Sequence, residues 1–267
     1  MSRPPKSLKH CEFRFYEELN DFLPPARRKV SFRHAFSGSP TVKDRIQALG
    51  VPHTEVDLIL VDGVSVDFQH HLHGGERVAV YPTFERFDLA ELNRLRPAPL
   101  RHPSFVLDVH LGRLARYLRL LGLDTLYRND WPDEELAQVA LAEHRILLTR
   151  DVGLLKRNAV THGAFLRAIM PREQLLEVLE RFDLWRQLRL FSRCARCNGA
   201  IEAVTRASVA AETPPRVYAY QRHFYRCQSC RKLYWEGKHC DRLRHWLEPL
   251  LREHGLSWPE SEQAPRD

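Results

Sequence analysis

The sequence predicts an α/β protein with three parts: a central parallel sheet flanked by helices, a small α+β unit before it and a cysteine-paired module after it. Three observations carry this. The runs Phe105-Val106-Leu107 and Ile146-Leu147-Leu148-Thr149 are short and β-favouring, and helical patterns lie between them. Buried strands of a parallel sheet read this way. Upstream, strand-like alternation surrounds one short helical stretch. Downstream, four of the six cysteines form two C-x-x-C pairs.

The chain has 267 residues, enough for two or three domains, and 43% are hydrophobic, which excludes a disordered chain. No apolar stretch reaches the roughly 18 residues of a membrane helix. The start, Met1-Ser2-Arg3-Pro4-Pro5-Lys6, has no apolar signal core after it. The expectation is a soluble, cytoplasmic protein with no membrane partner. Formal net charge is +7. Four zinc-bound thiolates would leave about +5. Such a surface suits a polyanion, of which nucleic acid is the commonest.

In the first unit, Glu12 to Tyr16 and Arg28 to Phe36 alternate as strands, with Val30, Phe32 and either Ala35 or Phe36 inward. Thr41 caps a helix over Val42 to Leu49, which Gly50 ends. Val56 to Val61 is a third strand and Asp62-Gly63 a tight turn. Gly74-Gly75 precedes the last strand, Arg77 to Tyr81, which Pro82 closes. Two strands, a helix and two strands make a β-grasp order. Residues 42–56 and 74–82 carry a resemblance to ubiquitin-like sulfur carriers. Those act through a free C-terminal Gly-Gly, whereas here the chain runs on through Pro82-Thr83-Phe84-Glu85. A docking or substrate-positioning role is therefore expected, with a possible protein partner. Arg94 to Pro103 reads as a linker, with three prolines among basic residues.

In the central unit, Leu111, Leu114, Ala115, Leu118 and Leu121 repeat at helical spacing, and Gly122 ends that helix. Asp124 to Tyr127 is a short strand. Pro132-Asp133-Glu134-Glu135 opens a second helix with Leu136, Ala137, Ala140 and Leu141 inward. A helix begins near Leu154, and Phe165 to Ile169 is the expected fourth strand. Pro171 and Glu173 open a helix through Phe182.

Cys194-Ala195-Arg196-Cys197 and Cys227-Gln228-Ser229-Cys230 have zinc-ribbon spacing, and a four-thiolate site has no open position for catalysis. A structural Zn²⁺ is expected, with His223, His239 and Cys240 as substitute ligands. Cys11 reads as a packed thiol.

The other constellation is acidic. Asp108 and Asp151 follow two strand runs, and Asp133 or Glu134 opens the helix between them. In open parallel sheets, ligands bind outside the carboxyl ends of the strands. Carboxylates about 4 Å apart repel by roughly 4 kcal/mol at an effective dielectric near 20, unless a cation, a shared proton or water relieves them. Mg²⁺ or Mn²⁺ would do so and would serve phosphate chemistry. The alternative is local: Asp108 and Asp151 as helix caps, Asp133 as a helix N-terminal charge, Glu134 solvated. Arg113, Arg116 and Arg119, at three-residue spacing, either contact phosphate or line a solvated face. Arg150 either pairs with a carboxylate or touches phosphate. Aromatics such as Tyr218, Tyr220, Phe224 and Tyr225 alternate with Arg216, Arg222, His223 and Arg226, either to stack single-stranded nucleic acid or to form a ribbon core. Trp235 and His239 carry the same two readings.

Residues 105–125, then Asp133-Glu134-Glu135-Leu136, then Arg145 to Asp151, resemble the Mut-seven C-terminal ribonuclease family. So do the two C-x-x-C pairs and Tyr234-Trp235-Glu236-Gly237-Lys238-His239. The resemblance implies a PIN-like nuclease fold and, as in bacterial members, a ubiquitin-like N-terminal extension. It implies Asp108, Asp133 and Asp151 as Mg²⁺ or Mn²⁺ ligands, with Glu134 as replacement or addition and Asp130 or Asp124 as a fourth acid. The expected layout is a β-grasp domain over 10–86, a linker over 87–103, a PIN-like nuclease domain over 104–185, a zinc ribbon over 186–250 and a tail over 251–267. The expected function is a metal-dependent ribonuclease acting on single-stranded RNA. The alternative is a catalytically inactive RNA- or protein-binding adaptor.

Overall fold

The computed structural model describes residues 8–82, 95, 103–235 and 237–258, with the backbone alone for 238–240. Most of the expected linker, the terminal segments 1–7 and 259–267, Glu236, and the side chains of His239 and Cys240 lie outside the described residues. So does Pro82-Thr83-Phe84-Glu85 beyond its first residue.

Strands β1 (Leu8–Phe15) and β2 (Phe32–Ser37), helix α1 (Val42–Ala48) and strands β3 (Val56–Val61), β4 (Val64–Ser65) and β5 (Arg77–Pro82) come first. Next are β6 (Phe105–Leu107), α2 (Gly112–Leu120), β7 (Thr125–Tyr127), α3 (Asp133–Ala142), β8 (Ile146–Thr149), α4 (Val152–Leu155), β9 (Gly163–Phe165) and α5 (Pro171–Arg181). The last are β10 (Ile201–Val204), α6 (Pro215–Tyr220), β11 (Phe224–Cys227), β12 (Leu233–Trp235) and α7 (Lys238–Glu253). The fold divides into two compact units, residues 1–108 with 131–167 and residues 109–130 with 168–267.

The first unit holds the β-grasp sheet, in the order β2-β1-β5-β3-β4. β1 and β5 run parallel at its centre, and the neighbouring pairs are antiparallel. Cys11, Phe13 and Phe15 of β1 alternate into a core with Ile46, Ile59, Val78 and Val80. Thr41 and Asp44 form the capping box that starts α1. β2 starts at Phe32, later than its sequence pattern, because Lys29 is in the left-handed region (φ 57°) and turns the chain. Phe36 is buried, while Val30 and Ala35 are exposed, so the inward set shifts.

The same unit contains a parallel run, β6 beside β8 and β8 beside β9, with Leu107 opposite Leu148. These strands are fully buried apart from Phe165, as their unbroken apolar runs require. α3 packs on β6 and β8, and α4 on β8 and β9. Leu141 lies on the open side of α3, and the fourth strand ends at Phe165, leaving Ile169 74% exposed. The α1 side of the β-grasp domain is fastened to this sheet by polar contacts. Gln47 Nε2 donates to the Lys156 carbonyl (2.9 Å), His53 Nε2 to that of Val160 (2.9 Å), and Glu55 Oε1 accepts the Phe165 N–H (2.7 Å). Arg167 pairs with Asp21 at 3.0 Å.

The second unit packs α2 on β7 and α5. Its ribbon sheet has the order β10-β11-β12, antiparallel throughout. Gly122, at φ 85°, ends α2 where an added Cβ would lie 2.2 Å from the Arg189 carbonyl oxygen. Aromatic contacts seat α7: Trp246 on Tyr117, and His254 stacked on Trp185 at 3.9 Å. Among the described residues, no helix is long and apolar enough to cross a membrane.

Candidate functional site

The cysteine centre is built by two matching turns. In the first, the Cys194 N–H donates to the Gly199 carbonyl (2.8 Å) and the Asn198 N–H to that of Cys194 (2.9 Å). In the second, the Cys227 N–H donates to the Lys232 carbonyl and the Arg231 N–H to that of Cys227, both at 3.0 Å. Asn198 and Arg231, each just after the second cysteine, adopt left-handed φ of 69° and 61°. Gly199 allows the turns to close, since a Cβ there would lie 2.4 Å from Ser229 Oγ.

These turns place the four sulfurs within 4.8 Å of one another, with Cys194–Cys230 at 3.6 Å and Cys197–Cys227 at 3.5 Å. Sulfurs about 2.3 Å from a tetrahedral zinc stand roughly 3.8 Å apart, so the donor set fits Zn²⁺. Burial would raise the Cys194 thiol, but hydrogen bonds from Tyr234 and from the N–H groups of Cys197 and Arg196 outweigh burial and draw it down to about 6. Tyr234, read from the sequence as part of a signature, thus has a definite partner: its hydroxyl lies 3.0 Å from Cys194 Sγ.

Arg119 belongs to this centre and is corrected as a phosphate ligand. It is 4% exposed and donates to the carbonyls of Thr125 (2.9 Å), Arg196 (2.9 Å) and Ala195 (3.3 Å). Steps of three residues rotate about 60° short of a full turn each. Arg119 therefore leaves the flank on which Arg113 and Arg116 remain exposed. Asp124 accepts from Asn198 Nδ2 at 2.8 Å and pairs with Arg193 at 3.1 Å. Asp130 pairs with Arg128 at 3.0 Å on the surface. In the ribbon, Phe224 is buried and Arg226 pairs with Glu212 through both carboxylate oxygens, whereas Tyr220 is 85% exposed.

The acidic residues lie at the carboxyl ends of the parallel strands. Asp108 follows β6, is 3% exposed, and its N–H donates to the Leu148 carbonyl. Thr149, at the end of β8, donates its hydroxyl to Asp108 Oδ2 (2.5 Å) and accepts the Asp151 N–H (2.9 Å). One hydroxyl thus links the two strand ends. Sequence reasoning passed over Thr149; the signal was its place two residues before Asp151 in a run otherwise apolar.

Asp151 is exposed, and its Oδ1 accepts the Gly153 N–H at 2.6 Å as the N-cap of α4. Asp133 is exposed at the start of α3, with Arg157 3.6 Å from its Oδ2. Glu134 is exposed beside it. Among the described residues, the four cysteines are the one group of three or more His, Cys, Asp or Glu ligand atoms this close together. Asp108, Asp133 and Asp151 do not gather in that way. Arg150 Nη1 donates to the carbonyls of Leu166 (2.8 Å) and Arg167 (2.7 Å), fastening the segment after β9.

A family model described as the Mut7-C RNAse domain matches residues 103–247, more than half of the chain. The chain belongs to the Mut7-C RNAse domain family. A second model, Mut7-C ubiquitin, matches residues 8–88. The Mut7-C RNAse match takes in both the acidic strand ends and the cysteine centre, and it points to a nuclease-type function. No curated protein matches the chain. Among solved structures, that of H. volcanii small archaeal modifier protein 1 has 19% identity, covering 28% of this chain and 99% of that one, with a TM-score of 0.24. SAMP1 from Haloferax volcanii has 17% identity, covering 29% and 99%, also with a TM-score of 0.24.

Proposed function

We propose that this Mut7-C protein is a metal-dependent ribonuclease that hydrolyses phosphodiester bonds of single-stranded RNA in the cytoplasm. The observation that carries the reading is the hydroxyl link of Thr149 between Asp108 and the Asp151 backbone, at adjacent carboxyl ends of a parallel sheet. Mg²⁺ binds through one or two carboxylates and completes its shell with water and phosphate oxygens, so it needs no cage of three acids. Asp108 and Asp151 would hold Mg²⁺ or Mn²⁺, with Asp133 or Glu134 joining when substrate is present. The ion would supply an activated water and charge for the phosphate. Thr149 holds the Asp108 carboxylate in a fixed orientation. Arg113 and Arg116 contact phosphates. The zinc at Cys194, Cys197, Cys227 and Cys230 is structural. The domain limits proposed are 10–86, 104–185 and 186–250, with 87–103 as linker and 251–267 as tail.

A second reading has two observations in its favour. Asp151 caps a helix and Asp133 faces Arg157, so both acids have local uses that an inactive adaptor would keep. Incubating labelled single-stranded RNA with Mn²⁺ or EDTA, alongside Asp108→Asn and Asp151→Asn, separates the two. Cleavage that needs Mn²⁺ and vanishes in both variants supports the ribonuclease. RNA bound but left intact under every condition supports the adaptor.

A further inference from the structure

One face of the β-grasp domain has no role in the contacts above. Its α1 side is fastened to residues 156–167 of the same unit. The opposite side is the outer face of the sheet. There Glu12, Arg14 and Tyr16 alternate with the buried Cys11, Phe13 and Phe15. They line a trough of about 690 Å³ together with Ser31, Arg77 and Tyr81. Tyr16 and Tyr81 stack on each other with centroids 4.2 Å apart and planes 9° apart, and the Arg14 guanidinium lies 5.6 Å from the Tyr16 ring centre.

Arg14 and Arg77 line this trough together with Glu12 and Asp62, and a basic segment borders it. The chain from Arg27 to Arg33 carries Arg27, Arg28, Lys29 and Arg33, all exposed, and no acid. Glu12 sits in register between Arg33 on β2 and Arg77 on β5, so three arginines, counting Arg14, share this face with one glutamate. Asp62 accepts the Arg77 N–H at 2.9 Å and is partly engaged by the backbone. An open trough with a stacked aromatic pair, bordered by a basic segment, has the two features of single-strand platforms: π-faces for bases and cations for the phosphates between them.

We infer that the outer face of the β-grasp sheet is a second binding surface for single-stranded RNA. A base stacks on the Tyr16–Tyr81 pair, and Arg14, Arg33 and Arg77 hold the flanking phosphates. This rests on the reading of RNA as substrate and assigns the β-grasp domain the task of holding a strand away from the cleaved bond. Specificity is for the single-stranded state rather than for sequence, because stacking accepts every base.

The test is fluorescence anisotropy of a labelled ten-nucleotide single-stranded RNA with the full zinc-loaded chain and no added Mg²⁺ or Mn²⁺. The readout is then binding alone, whether or not the protein cleaves. Arg14→Glu with Arg77→Glu should weaken binding at least tenfold. It should also flatten the slope of log affinity against log salt by about 0.7 for each arginine lost. Tyr16→Leu with Tyr81→Leu should weaken binding between about fivefold and a hundredfold. Circular dichroism melts check that the variants are folded, and the surface charge pair keeps the test open if the tyrosine pair is not. Unchanged RNA affinity in the folded charge variant overturns the inference. So does loss of self-association in place of RNA binding, which would assign the face to a second copy of the chain. Absent cleavage with intact, variant-sensitive binding would fail the ribonuclease reading and leave this surface standing.

Discussion

The cysteine centre and the acidic strand ends differ in how they are assembled. In the ribbon, two turns of the same hydrogen-bond pattern bring all four sulfurs within 4.8 Å of one another. At the sheet edge, each carboxylate has a protein partner of its own: Asp108 has Thr149, Asp151 has Gly153 N–H and Asp133 has Arg157. A four-sulfur set close to tetrahedral suits a permanent ion with a closed shell. Carboxylates held separately suit an ion that arrives with water and phosphate and leaves with product. On the proposed function, the contrast separates a centre that contributes to folding from one that acts on a ligand.

The sharpest way to break the contrast is to remove a sulfur. Cys227→Ser should reduce zinc from one ion per chain to none and unfold the ribbon, with a loss on the order of 10 kcal/mol of metal-linked folding energy. Elemental analysis and thermal melts read both effects. Full zinc content in this variant would show that the four cysteines are not the site.

Two arginines on one helix separate a contact of the cysteine centre from an exposed cation. Arg119→Met removes a buried guanidinium and leaves three backbone carbonyls without a donor that they share. It should cost about 3 kcal/mol in urea unfolding. Arg116→Ala, on the exposed flank, should stay within about 0.5 kcal/mol of the parent and lower RNA affinity a fewfold. The opposite ranking would return Arg119 to the phosphate contacts.

A modest, pH-dependent effect is expected in the β-grasp domain. Burial would raise the Glu76 carboxyl, but hydrogen bonds from the Cys11 thiol and from the N–H groups of His73 and Gly74 outweigh burial and hold it down to about 2, from an ordinary value of 4.5. A depressed folded-state value stabilises the fold above the unfolded value and loses that contribution as pH falls from 4.5 toward 2. Glu76 is partly exposed, so solvent screening leaves about 1 kcal/mol. Glu76→Gln should therefore lower the melting temperature at pH 7 and converge on the parent at pH 2.

How much was legible in advance follows from the same contrast. C-x-x-C turns are local in sequence, and so are strand runs and the Thr41 cap. Each was readable from neighbouring residues. The environment of Asp108 depends on Thr149, and that of Arg119 on residues more than 70 positions away. Those pairings arise only when strands align or a helix meets the ribbon. Three-residue spacing also misled: it grouped Arg119 with Arg113 although helical rotation carries it to the buried side. The cap reading of Asp151 was visible in the sequence as one of two options, and the structure gives it that partner without removing its carboxylate from the sheet edge.

The most direct test of the whole account measures zinc and cleavage on one sample of Asp108→Asn. Asparagine keeps the shape and the Thr149 hydrogen bond but removes the charge that would hold the ion. The account predicts one zinc per chain, a melting temperature near the parent's, and Mn²⁺-dependent RNA cleavage reduced at least about a hundredfold. Parental cleavage by the zinc-loaded variant would contradict the assignment of the reaction to the carboxyl ends of β6 and β8.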